Sequence, residues 1–102
     1  MINNDTIVAS ATAPGKGAVC IIRISGPLAT DISKTLCGIT LIPRLATYKK
    51  FSFKYETIDT GVWIFFPGPQ SFTGEDVIEF QGHGGPIVTQ TAISIIQECG
   101  AR

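Results

Sequence analysis

Arg23 and Glu79 are the two side chains of this 102-residue chain whose type and position could do chemistry. Glu79 lies within residues 76–81, where alternation sends Ile78 and Phe80 to one side of a sheet and Val77, Glu79 and Gln81 to the other. A carboxylate in mid-strand is costly to bury, so it either stands in water or meets a partner. Arg23 is the matching base: over residues 18–25, Cys20, Ile22 and Ile24 alternate with Val19, Ile21 and Arg23, so both faces are largely apolar and the strand reads as central. A guanidinium kept from water needs a carboxylate, phosphate or similar anion. Two readings follow. If the strands are neighbours and the faces agree, Arg23 and Glu79 form a structural ion pair. Alternatively they hold a polar ligand, the arginine gripping a carbonyl or carboxylate and the glutamate accepting from adjacent N–H donors such as an amino-pyrimidinone edge.

The residues around Glu79 are dense in polar punctuation, SFTGEDVIEFQGHGG over residues 71–85. Thr73-Gly74-Glu75-Asp76 reads as a turn in which Thr or Asp hydrogen-bonds backbone N–H groups and Gly74 takes positive φ. Gly82-His83-Gly84-Gly85 precedes a helix, where backbone N–H groups could receive an anion; a His capping the turn is the plainer role. No catalytic residue is assigned. Gly15-Lys16-Gly17 lacks the spacing of a phosphate-cradling P-loop, so no GTP or ATP site is encoded here. His83-Gly84-Gly85 is like an esterase oxyanion loop, but no G-x-S-x-G nucleophile turn accompanies it.

The elements that must position these residues follow from periodicity and breakers. Residues 6–10 read as a strand, 12–17 as a turn and 18–25 as the second strand. A helix over 27–37 carries Leu28, Ile32, Thr35 and Leu36 at helical spacing, with Asp31 early and Gly38 as its cap. Residues 40–45 form a connecting loop. Residues 46–55 and 61–66 make an antiparallel hairpin with 56–60 between its arms, and 76–81 is the next strand. A last helix over 86–99 stacks Ile87, Thr91 and Ile95 beside Ala92, Ile96 and Cys99, and ends at Gly100. The order β-β-α-β-β-β-α predicts an α+β fold, a mixed or antiparallel sheet with two helices packed on one side.

Composition narrows the classes. One domain is expected at this length. Eight basic and eight acidic residues cancel, and no cluster exceeds Lys49-Lys50, so no basic stripe for nucleic acid is present. Charged residues make up 16% and apolar ones 44%, against about 25% charged in an average domain, which predicts an apolar face covered by a partner. Cys20, Cys37 and Cys99 are odd in number and widely spaced, with one histidine, so reduced core thiols and no metal site are expected. No secretory signal and no membrane-length apolar run are visible, so a soluble, cytoplasmic protein with no membrane partner is expected.

The chain resembles the N-terminal domain of the MnmE (TrmE) family of tRNA modification GTPases. The resemblance is carried by Asp5-Thr6-Ile7-Val8-Ala9, Pro14-Gly15-Lys16-Gly17, Ile22-Arg23-Ile24-Ser25-Gly26, Phe66-Pro67-Gly68-Pro69, Ser71 to Asp76, Glu79 and Gly82-His83-Gly84-Gly85-Pro86. It implies a fold like the tetrahydrofolate-binding part of aminomethyltransferases, homodimerisation, and binding of a reduced folate such as 5-formyltetrahydrofolate. The folate contacts it implies within residues 1–102 are Arg23 and Glu79, with further lysines from beyond Arg102. It also implies a longer parent whose helical and GTPase domains, absent here, bring GTP, magnesium and potassium. With an FAD-containing partner of the MnmG or GidA type, that parent installs a carboxymethylaminomethyl-type group on the wobble uridine of tRNA, the folate serving as one-carbon donor. The segment is then a binding module, inactive alone. The alternatives are a purely structural dimerisation domain that binds no folate, and a free-standing one-carbon transferase, disfavoured because so short a chain has no room for acid, base and acceptor pocket.

Overall fold

The structure is a computed structural model that describes residues 5–11 and 19–102; the turn expected at 12–17 lies outside the described residues. Seven elements run in the order β1 (Ile7–Ser10), β2 (Val19–Ser25), α1 (Ala29–Cys37), β3 (Thr47–Phe53), β4 (Glu56–Phe66), β5 (Val77–His83) and α2 (Pro86–Glu98). The strands form one five-stranded sheet, β1-β2-β5-β4-β3, antiparallel at every pairing. This is the expected α+β arrangement.

Both helices pack on the face carrying Cys20, Ile22, Ile24, Ile78 and Phe80, where they join Phe51 and Trp63 in one core with Ile32, Leu36, Ala92 and Ile96. Phe51, Trp63 and Phe80 meet ring to ring at 4.6 to 5.4 Å between centroids. Burial of these large side chains is the main driving force for laying the helices on the sheet. Thr6 ties the first strand to α1, its Oγ1 accepting the Leu28 N–H at 2.9 Å. Gly38, at φ 82°, closes that helix with a hydrogen bond from its N–H to the Lys34 carbonyl, as its position predicts.

Two expectations are corrected. Residues 56–60 do not separate the arms of the hairpin but belong to β4, which is 11 residues long. The reversal occupies only Lys54 and Tyr55, at φ 51° and 67°, the left-handed pair that a two-residue hairpin requires. In α2, Ile87 and Thr91 do not join the core stripe: Ile87 is 79% exposed, and Ala92 and Ile96 alone are fully buried. The helix begins beyond the end of β5, the middle strand of the sheet, and Pro86 and Ile87 in its first turn are exposed.

After α2 the chain returns to β1. The Arg102 N–H donates to the Thr6 carbonyl at 2.7 Å, and the Val8 N–H donates to the Arg102 carbonyl at 3.1 Å.

Candidate functional site

The face of the sheet turned away from both helices carries the alternate residues of every strand. Across its middle run Ala9, Arg23, Glu79 and Ile64, one from each of β1, β2, β5 and β4, in direct register. Strand adjacency and side-chain parity therefore both bring Arg23 opposite Glu79. Arg23 Nε donates to Glu79 Oε1 at 3.0 Å. Gln81, two residues along the same face, donates from Nε2 to Glu79 Oε2 at 2.7 Å. The pair is asymmetric in its exposure, 35% for the Arg23 side chain and 7% for that of Glu79. The carboxylate is buried and doubly satisfied, while the guanidinium reaches the surface with its two Nη groups unengaged among the described residues.

A loop over residues 67–76 closes one end of this face. Phe72 lies on the guanidinium of Arg23, 3.8 Å from its Cζ to the ring centroid, a cation–π contact. Phe72 also meets Phe66 edge to face at 5.4 Å. The loop is held by the turn chemistry its sequence predicts. Thr73 Oγ1 accepts the Glu75 N–H at 3.3 Å and pairs with Ser25 Oγ at 2.6 Å, Asp76 Oδ1 accepts the Gly68 N–H at 3.0 Å, and Gly74 takes φ 82°. Phe72 and Gln81 are contacts the sequence did not single out. Gln81 was readable from its parity with Glu79; Phe72 sits in an irregular loop, where no periodicity points to a partner.

At the other end of β5, in the turn where His83 is expected as a cap or the N–H groups as an anion site, His83 is bound to Asp59. The His83 N–H donates to Asp59 Oδ2 at 2.9 Å and His83 Nδ1 lies 2.7 Å from Asp59 Oδ1. Asp59, with its side chain only 8% exposed, also accepts the Thr60 N–H at 2.8 Å. The imidazole is thus held by a neighbouring strand rather than capping its own turn. A shallow cleft of about 240 Å³ beside it is lined by Val19, Tyr48, Val62 and Gln81 among others.

The thiols lie away from this face. Burial pushes the Cys37 and Cys99 thiols above their ordinary value, the Glu98 carboxylate adding to the effect at Cys99, so both stay protonated and unreactive. Among the described residues no group of His, Cys, Asp and Glu could hold a metal ion, and no helix is long and apolar enough to cross a membrane.

Comparison with known proteins gives a consistent result. The family described as GTP-binding protein TrmE N-terminus matches residues 6–102. The tRNA modification GTPase MnmE of Vibrio cholerae is 53% identical over 103 residues, covering 99% of this chain and 23% of that protein. The proteins of the same name from Saccharophagus degradans and Pseudomonas fluorescens are 49% and 51% identical, over 97% and 99% of this chain and 22% of their own length. The chain thus spans less than a quarter of the curated relatives it matches.

Proposed function

The chain belongs to the family of the TrmE N-terminus, and from that premise we propose that it is the reduced-folate-binding and homodimerising domain of a tRNA modification GTPase. The observation that carries this reading is a buried carboxylate, Glu79 at 5% exposure, in the middle of a sheet face that neither helix covers. An apolar face with a satisfied acid at its centre and an arginine reaching out beside it suits a heterocycle with a polar edge.

The residues present fit the pyrimidinone edge of a reduced folate such as 5-formyltetrahydrofolate. Each Glu79 oxygen takes one hydrogen bond from the protein, and a carboxylate offers about four lone-pair sites, so capacity remains for ring-edge N–H donors. The Nη groups of Arg23, with no hydrogen-bond partner among the described residues, can meet a ring carbonyl. Bound folate supplies a one-carbon unit; the chain's own part is to bind and orient the ring. In the parent, GTP with magnesium and potassium belongs to a GTPase domain outside this chain. The reaction partners are an FAD-containing protein of the MnmG or GidA type and the wobble uridine of tRNA, in the cytoplasm.

Calorimetric titration with 5-formyltetrahydrofolate tests the reading. Saturable binding is expected, and Arg23→Ala and Glu79→Ala should each weaken it by about 1.5–3 kcal/mol, the range for a charge-assisted contact. Unchanged affinity in both variants would remove these residues from the site. The direct 3.0 Å contact between Arg23 and Glu79 favours a second reading, a structural ion pair in a domain that only dimerises. Dimers by sedimentation together with no folate binding would favour it.

A further inference from the structure

Beyond Phe72 the open face continues into a second cleft that ring recognition by Arg23 and Glu79 does not use. It has a volume of about 400 Å³ and is lined by Arg44, Phe66, Gln70, Ser71 and Phe72, within the size range of small-molecule sites. Its two aromatic walls stand edge to face at 79°. The Arg44 guanidinium flanks Phe66, its Cζ 5.8 Å from the ring centroid, as Arg23 flanks Phe72. The two arginines therefore stand at opposite ends of one aromatic pair.

Arg44 is set in place at a cost. Its backbone adopts φ 63°, a left-handed conformation that is strained for a residue with a side chain. Its N–H donates to the Phe65 carbonyl at 2.8 Å and its Nη2 donates to the Gln70 carbonyl. Arg23 and Arg102 pair with Glu79 and Asp5, but Arg44 forms no ion pair among the described residues. A guanidinium has five N–H donors, so the bond to Gln70 leaves most of them for an anion.

We propose that this cleft is the subsite for an aryl tail ending in a carboxylate, carried by the same ligand whose ring edge Arg23 and Glu79 read. The aryl ring lies against Phe66 and Phe72, and the carboxylate meets Arg44 in the geometry guanidinium favours. One cation beside two aromatic side chains, in a small cleft, fits such a tail better than a polyanion, which needs several cations. The inference rests on the folate reading, since a folate joins a bicyclic ring, an arylamide and a glutamyl carboxylate in line.

The test compares 5-formyltetrahydrofolate with 5-formyltetrahydropterin, which lacks the aminobenzoyl-glutamate tail, by calorimetric titration. Wild-type protein should bind the intact compound at least ten-fold more tightly. Arg44→Ala and Arg44→Gly should lower affinity for the intact compound about ten- to a hundred-fold and leave the tail-less one unchanged, whereas Arg23→Ala weakens both. Arg44→Gly removes the backbone strain, so its thermal midpoint should equal or exceed the wild-type value and a loss of binding is not a loss of fold. Equal wild-type affinity for the two compounds, or full affinity for the intact compound in Arg44→Gly, overturns the subsite and leaves the folate reading standing. Binding of neither compound by the wild-type full-length parent, which supplies the further lysines expected beyond Arg102, overturns both.

Discussion

Glu79 sits at 5% exposure because each of its oxygens has a donor, Arg23 on one and Gln81 on the other. Unpaired, a buried carboxylate costs several kcal/mol; paired, it is a fixed acceptor whose position does not depend on solvent. The thiol of Cys37 shows the opposite solution. It is buried, its Sγ–H directed to the Ile39 carbonyl at 3.5 Å, and burial raises its pKa, so the fold favours the neutral thiol. The proton is bound more tightly in the folded than in the unfolded chain. The stability this contributes is complete below the unfolded thiol's pKa of about 8.5 and is lost as pH rises beyond it toward the folded value. Native protein at pH 8 should accordingly resist iodoacetamide at Cys37 until it is unfolded in denaturant. Rapid native alkylation, followed by mass spectrometry, would contradict the assignment.

At the scale of elements, the approach of β4 to β5 depends on glycine. A Cβ placed on Gly61 would stand 2.2 Å from the Gln81 carbonyl oxygen, and that atom is backbone in a paired strand, so it cannot step aside. Gly61→Ala should cost about 1–3 kcal/mol, read as a lowered denaturant midpoint with unchanged slope. It should also weaken ligand binding, since Gln81 holds one oxygen of Glu79.

The same elements show where sequence reading succeeds. Parity within residues 18–25 and 76–81 placed Arg23 and Glu79 each on a definite face, because alternation is local. That β2 and β5 are neighbours is a non-local fact, set by a pairing 56 positions apart in the sequence, and it decides whether the two can meet. Residues 56–60 do not read as strand because Lys54-Tyr55 lacks the Asn-Gly or Asp-Gly signature of its turn. Asp59 and Arg44 gave no signal at all: one acts across a strand boundary, the other through a backbone conformation that its residue type does not announce.

The whole molecule is lopsided. Helices cover one face of the sheet, while the other presents Ile7, Val19, Tyr48 and Phe72 to solvent, with Val62, Ile64 and Phe66 half-buried among them. With charged residues at 16%, this face suits the proposed homodimer. Self-association through it predicts a thermal midpoint that rises with protein concentration. Tyr48→Asp and Val62→Asp should abolish that dependence and yield monomers by sedimentation. A midpoint independent of concentration in the wild type would place the dimer contact elsewhere.

The two hydrogen bonds of Arg102 to Thr6 and Val8 flank Ile7 on either side, which is the pattern of a parallel strand pairing rather than of a loose end. They give β1 a partner on its outer side, and so blunt a sheet edge that would otherwise offer bare donors and acceptors to another chain. The pairing also sets a heading: at Arg102 the backbone runs alongside β1 and in the same direction.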